Sequence, residues 1–282
     1  MNKTTKYELS SNGILRAAIN MSNFLLVTDK TKDGTPIGVS PDMAQELADK
    51  LNLQLKLIPY TTPGEIADDA ENNKWDICNI GAEPQRAEKI NFSAAYAEIQ
   101  ATYIVQSNSK INNILDVDKI GNKISVASRT AYGLWLERNM LNAELIQVEG
   151  VDSSFDVFLN KNLDALAGLR PALIEDVKKI SGAKILEGQF MSVQQAIGTS
   201  IQNINSSTYI AEFVEEMKKL DLDNVHFYGI DCYDVRRCIM FIEIYLGENN
   251  ISLLDKYKYL FENFSMYNNM WDFVSNNSNS AQ

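Results

Sequence analysis

The stretch that decides the fold is Trp75-Asp76-Ile77-Cys78-Asn79-Ile80-Gly81-Ala82-Glu83-Pro84-Gln85-Arg86-Ala87, followed by Ile90-Asn91-Phe92-Ser93-Ala94-Ala95-Tyr96. A short apolar strand over 76–81 runs into a small-residue turn, and Pro84 stands where a helix would begin. Proline is tolerated in a first helical turn because the N–H it lacks would have no intrahelical acceptor. Arg86 follows two residues later. Backbone N–H groups at such a turn, with a guanidinium fixed beside them, form a site for a small carboxylate. The expected ligand is a small organic anion or zwitterion.

Working outward, the segment before this stretch alternates strand and helix. Leu15 to Ile19 reads as a strand, with a loop at Asn20–Asn23. Ser40-Pro41-Asp42 predicts a helix start with Ser40 as N-cap, and Met43, Ala44, Leu47, Ala48 and Leu51 recur at helical spacing. Leu53, Leu55 and Leu57 alternate with polar residues as in a strand. Thr62-Pro63-Gly64-Glu65 fits a capping box. This βαβαβ order implies parallel strands with right-handed crossovers.

A second run repeats the logic. Strands are expected at Ile124–Ala127, Glu144–Val148, Asp164–Ala167 and Lys184–Leu186. Helices are expected to open at Thr130, at Asp152-Ser153, and at Pro171 running through Ile180. Two extended runs, 97–105 and 191–199, read as a double crossover between lobes, and a helix through Ile210, Phe213 and Val214 packs back on the first lobe. The fold expected is α/β, with two α/β lobes joined by a two-strand hinge and a C-terminal helical hairpin. The boundaries are 10–98 for the first lobe, 99–194 for the second, 195–224 for the return, 225–274 for the hairpin and 275–282 for a disordered tail. A cleft between lobes is where ligands usually bind. The aromatic-rich hairpin reads either as packing on a lobe or as a partner surface.

Composition narrows the function classes. The 282 residues carry a net charge of -11, which repels phosphate backbones and argues against nucleic acid as a partner. No cofactor or metal is called for: His226 is the only histidine, and Cys78, Cys232 and Cys238 are too few for a zinc site without a histidine pair. A Ser/His/Asp triad would have to use His226. Cys78 lies in an apolar strand and reads as a buried small hydrophobe. Cys238 to Ile242 is far short of the ~20 apolar residues that span a bilayer, so the chain is not expected to be membrane-embedded. Residues 1–13 lack the apolar segment of a signal peptide.

Residues 14–222 resemble a type II periplasmic solute-binding protein of family 3, the amino-acid-binding proteins of ABC importers. The motifs are Gly38-Val39-Ser40-Pro41-Asp42-Met43-Ala44, Trp75-Asp76-Ile77, Pro84-Gln85-Arg86-Ala87 with Phe92-Ser93-Ala94-Ala95-Tyr96, and Leu163-Asp164-Ala165-Leu166-Ala167-Gly168. The resemblance implies that Arg86 clamps a ligand carboxylate; the bland alternative is a pairing with Glu83 or Glu88 on a solvated turn. Gly81 and Glu83 fall where the family offers backbone donors and a hydroxyl. Glu83 is a departure: it either recognises a ligand amine or orients the guanidinium. The turn Ser128-Arg129-Thr130-Ala131-Tyr132 corresponds to the second lobe's donor nest, where Thr130 is either a carboxylate contact or a plain N-cap. Asn20, Asn23 and Phe24 fall in the loop that supplies an aromatic wall, and Phe24 either stacks on the ligand or belongs to the core. The family's acid for an α-amino group falls at Leu169, with Arg170 next, and neither accepts from an ammonium.

The function implied is capture of an amino-acid-like or small carboxylated compound for import, with an ABC permease as the possible partner. The location implied is periplasmic, with cytoplasmic left open by residues 1–13. A dehydratase on the same scaffold, resembling cyclohexadienyl dehydratase with Glu83 as proton donor, and a ligand-sensing interaction module are the alternatives.

Overall fold

The computed structural model describes residues 3–10 and 12–223. The expected hairpin over 225–274, the tail 275–282, His226, Cys232 and Cys238 lie outside the described residues. The chain divides into two units, Met1–Met217 and Lys218–Gln282, and the architecture below is that of the first.

After helix α1 (Lys3–Leu9) comes strand β1 (Ile14–Asn20), then a two-stranded ribbon of β2 (Asp29–Lys30) and β3 (Pro36–Ile37). Helix α2 (Val39–Leu51), strand β4 (Gln54–Tyr60) and helix α3 (Pro63–Asp68) lead to β5 (Ile77–Ala82), the one-turn helix α4 (Pro84–Ala87) and β6 (Ile90–Phe92). Strand β7 (Ala97–Val105) carries the chain into a second half. That half comprises β8 (Lys123–Ala127), α5 (Ala131–Asn139), β9 (Glu144–Val148), α6 (Val151–Asn160), β10 (Ala165–Leu169), α7 (Arg170–Val177) and β11 (Lys184–Ile185). Strand β12 (Met191–Ser200) returns, and α8 (Ile204–Asp223) follows.

One ten-stranded sheet runs in the order β4-β1-β5-β12-β7-β10-β8-β9, with β6 on β12 and β11 on β7. β1 is parallel to β4 and β5, and β8 is parallel to β9 and β10. Between these parallel sets lie β12 and β7, antiparallel from Met191↔Ala101 to Gln195↔Ala97. β12 then pairs with β5, Gln195 opposite Gly81. The two long strands therefore connect the two α/β halves, and Gln195 stands at their junction. Helix α8 buries Ile210, Phe213 and Val214, and its Glu216 forms an ion pair with Lys50 of α2. Among the described residues no helix is long and apolar enough to cross a membrane.

Both parallel sets are pinned in one way. Asp76, just before β5, donates its N–H to the Arg16 carbonyl (2.9 Å), and its carboxylate accepts the Arg16 N–H (2.8 Å). Asp164, just before β10, does the same to Lys123 of β8, at 2.9 and 2.8 Å. Asp76 also accepts from Arg16 Nε at 3.0 Å and Nη2 at 2.7 Å. The Trp75 indole N–H donates to the Ile66 carbonyl at 3.1 Å, anchoring α3. Behind these pins the sheet buries Cys78 with Ile66, Trp75, Ile80 and Ile90, and burial pushes the Cys78 thiol up to about 12, so it stays neutral.

The capping box at Thr62 and Glu65 forms as expected. The cap of α2 does not. That helix starts at Val39 behind Gly38, and Ser40 lies inside its first turn, its hydroxyl buried 3.0 Å from the Tyr96 hydroxyl. Gly38 has φ 146°, and a Cβ there would stand 2.4 Å from the Leu26 carbonyl oxygen, so only glycine fits. Likewise α6 begins at Val151 behind Gly150 rather than at Asp152-Ser153, and α7 starts at Arg170 and ends at Val177, short of Ile180.

Replacing Asp76 by Ala removes the acceptor for one main-chain N–H and one guanidinium. It is expected to lower the unfolding free energy by about 2–3 kcal/mol, the scale of hydrogen bonds to a charged group. Asp156→Ala, at an exposed site on α6, should stay within about 0.5 kcal/mol. Urea denaturation compares the two, and an Asp76→Ala curve that overlies the parent's would remove the pin.

Candidate functional site

A cavity of about 60 Å³ lies at the carboxyl ends of β1, β5 and β10, between the two halves. This is the end of a parallel sheet where ligands are usually held. The first half contributes Asn20, Ser22, Asn23 and Phe24 from the loop after β1, with Pro63, Gly81 and Arg86. The second contributes Thr130, Ala131 and Tyr132 at the start of α5, Val151 and Ser154 of α6, Leu166 to Leu169 of β10, and Ala172, Leu173 and Asp176 of α7. Val193 and Gln195 of β12 complete the wall.

Arg86 is only 4% exposed. Its Nη1 donates to the Gly81 carbonyl at 2.7 Å, and its Nη2 reaches across to the Arg129 carbonyl at 2.8 Å. Among the described residues no carboxylate forms an ion pair with it. Burial lowers its pKa to about 10, with the nearby Glu83 charge opposing the shift. The turn is therefore not solvated, and pairing with Glu83 or Glu88 is not what holds Arg86.

Glu83 has a different task from those expected. Its Oε2 accepts the N–H groups of Gln85 (2.9 Å) and Arg86 (3.3 Å), capping α4, and Oε1 forms an ion pair with Arg138 of α5. The chain's own carboxylate thus occupies the backbone donors expected to face a ligand, and Glu83 is not in the cavity wall. Arg129 sits at φ 58°, and its guanidinium leaves the cavity for the Gly64 carbonyl (3.0 Å) and Asp68 (2.6 Å). A Cβ on Gly64 would stand 2.8 Å from that guanidinium, so glycine permits the approach. Arg170 is also outside the wall: its Nε donates to Gln100 at 2.6 Å and its Nη2 to the Gly188 carbonyl.

Six expected residues do meet at the cavity: Asn20, Asn23, Phe24, Gly81, Arg86 and Thr130. The Thr130 hydroxyl is engaged within its own turn, donating to the Ala127 carbonyl (2.8 Å) and accepting from the Gly133 N–H (3.0 Å). Asn20 accepts from the Ser22 hydroxyl at 2.8 Å. Phe24 is 47% exposed, at the rim rather than in the core. The Asn23 Oδ1 is buried with no partner among the described residues.

Sequence reasoning missed Tyr132, Gln195 and Asp176. The signal for the last was present: Ala172, Leu173 and Asp176 share one face of α7 by their spacing, just beyond its N-cap Leu169. Asp176 accepts from the Lys179 ammonium at 2.7 Å, and its side chain is 15% exposed. Burial pushes the Tyr132 hydroxyl up to about 12, keeping it a neutral donor. Among the described residues no group of three or more His, Cys, Asp or Glu is placed to hold a metal ion.

Comparison with known proteins gives a consistent picture. The L-cystine-binding protein TcyJ of Escherichia coli K12 is 24% identical over 190 residues, 66% of this chain and 71% of that one. The ancestral amino-acid-binding protein AncCDT-1, a precursor of cyclohexadienyl dehydratase, superposes with a TM-score of 0.62 at 21% identity, covering 76% of this chain and 94% of that one. The cysteine-binding protein of Campylobacter jejuni gives 0.63 at 18% identity, with 79% and 90% covered. These likenesses show the type II periplasmic binding protein fold. A profile of the bacterial extracellular solute-binding proteins, family 3, matches residues 16–225. The chain belongs to that family.

Proposed function

We propose that this chain captures an amino-acid-like or other small carboxylated solute between its two halves and presents it to an ABC-type importer, outside the cytoplasm. The observation that carries this reading is Arg86: a guanidinium buried in the cavity wall whose partners among the described residues are carbonyls and no carboxylate. Taking a charge out of water is costly unless it is paired. A ligand carboxylate supplies the missing pair through a planar fork suited to it. The family membership and the named relatives, which bind amino acids, support the same solute class.

Closure fits this role. Arg129 and Arg138 from the second half reach Asp68 and Glu83 in the first, while Arg86 reaches back. A solute touching both walls favours this arrangement by its differential affinity for it. The reading is non-catalytic. Glu83, the proton donor of the dehydratase alternative, caps α4, is ion-paired with Arg138 and lies outside the wall.

Calorimetry against a panel of amino acids and organic acids tests the clamp. Arg86→Gln is expected to cost about 2–5 kcal/mol of affinity, roughly 30-fold or more, while Lys178→Gln on the surface keeps the parent's affinity. Equal affinity in Arg86→Gln would remove that residue from the site. For closure, Arg138→Gln strands a Glu83 side chain that is 2% exposed. It should cost about 2–3 kcal/mol of stability, below the range for a fully buried pair because Arg138 is partly solvated. Asp68→Asn breaks a half-exposed pair and should cost under about 1 kcal/mol. Equal urea midpoints for the two variants would contradict the distinction.

A further inference from the structure

We propose that this cleft selects a hydroxy monocarboxylate, an anion whose second polar group is uncharged, over the amino acid of the same carbon skeleton. The inference rests on the reading of the cleft as a solute site given above. Among the described residues that line the cavity, Arg86 is the one base and Asp176 the one acid. Of these two, the base alone has no ion pair among the described residues. The Asp176 carboxylate accepts from the Lys179 ammonium at 2.7 Å, and that ammonium stands 5.1 Å from the centre of the Phe155 ring, held from a second side. Glu83 is taken by Arg138 and lies outside the wall. A carboxylate therefore finds an open counter-charge in this cavity, and an ammonium finds none.

The surroundings of Arg86 sharpen the choice. In an α-amino acid the ammonium sits one carbon from the carboxylate, so a clamped carboxylate brings it close to the guanidinium, a like charge at short range. The wall there is apolar: a Cβ on Gly81 would stand 3.8 Å from Arg86 Nη1, 3.2 Å from the Ala131 methyl and 2.8 Å from Val193 Cγ1. The Thr130 hydroxyl is engaged by the Ala127 carbonyl and the Gly133 N–H. Asn23 is 8% exposed, and its Oδ1 is buried with no partner among the described residues. A buried polar atom left unpaired is unfavourable. A hydroxyl both donates and accepts, so it suits that amide whichever way the amide is turned. The amide offers an ammonium no compensating charge. Leu166, Leu169, Ala172 and Leu173 give the rest of the solute an apolar wall. A second carboxylate against these side chains would be desolvated with no cation, so dicarboxylates are rejected as well.

The experiment is calorimetry on the full chain with matched sets that share one carbon skeleton. Each set holds a hydroxy acid, the amino acid and the unsubstituted acid: lactate, alanine and propionate; hydroxyisocaproate, leucine and isocaproate; phenyllactate, phenylalanine and hydrocinnamate. Malate and succinate complete the panel. The tightest binder is expected to be a hydroxy acid, about ten-fold or more above its amino acid, the scale of one buried polar group left unpaired. Asn23→Leu should weaken that hydroxy acid about ten-fold and leave the unsubstituted acid's affinity unchanged. An amino acid that binds the parent as tightly as its hydroxy acid, and is lost in Arg86→Gln, overturns the proposal and leaves the solute reading standing. An unsubstituted acid as tight as its hydroxy acid overturns it too, as does parent-like hydroxy-acid affinity in Asn23→Leu. Should Asn23→Leu not fold, the ratios on the parent chain carry the test. If no panel member binds the parent chain, the solute reading itself falls, and the proposal with it.

Discussion

The structure turns on a guanidinium that has been taken out of water with no carboxylate of the described residues in an ion pair with it. Arg86 is placed by a single helical turn that Pro84 starts and Glu83 caps. Glu83, the acid whose charge acts on it, is drawn away by Arg138 and by two backbone N–H groups. That diversion keeps Arg86 from being neutralised by its own loop, so its charge remains available to whatever enters the cavity. The same side chain hydrogen-bonds across the gap to the Arg129 carbonyl. One side chain thus both charges the cavity wall and contributes, with the Arg129–Asp68 and Arg138–Glu83 pairs, to the contacts between the halves.

Such placement needs strand ends held in register to a fraction of an ångström, and the two aspartates provide it. Asp76 and Asp164 each make a reciprocal pair of bonds with the main chain of the neighbouring parallel strand. The pairing fixes where β5 and β10 begin, and hence where Gly81 and Gly168 arrive at the cavity. Parallel strands have slanted, evenly spaced bonds and no hairpin to set their register. A carboxylate that captures the neighbour's N–H replaces the missing turn. The repetition of this device in both halves explains why Trp75-Asp76-Ile77 and Leu163-Asp164-Ala165 look alike in sequence. Both are structural, and neither aspartate touches the cavity.

Features set by local chemistry were legible before the structure. The Thr62 capping box, the 97–105 strand and the Glu144–Val148 strand depend on neighbours a few residues away, and they form where the pattern put them. Ser40 was misread because tertiary contacts decide that helix start: the Leu26 carbonyl presses on Gly38, and Tyr96 takes the serine hydroxyl. The site divides along the same line. Asn20, Asn23, Phe24, Gly81, Arg86 and Thr130 reach the cavity because strand ends and loops carry them there. Glu83, Arg129 and Arg170 were legible as polar residues near the right turns, but distant partners settle their side chains: Arg138, Asp68 and Gln100. No local pattern displays a partner some sixty residues away.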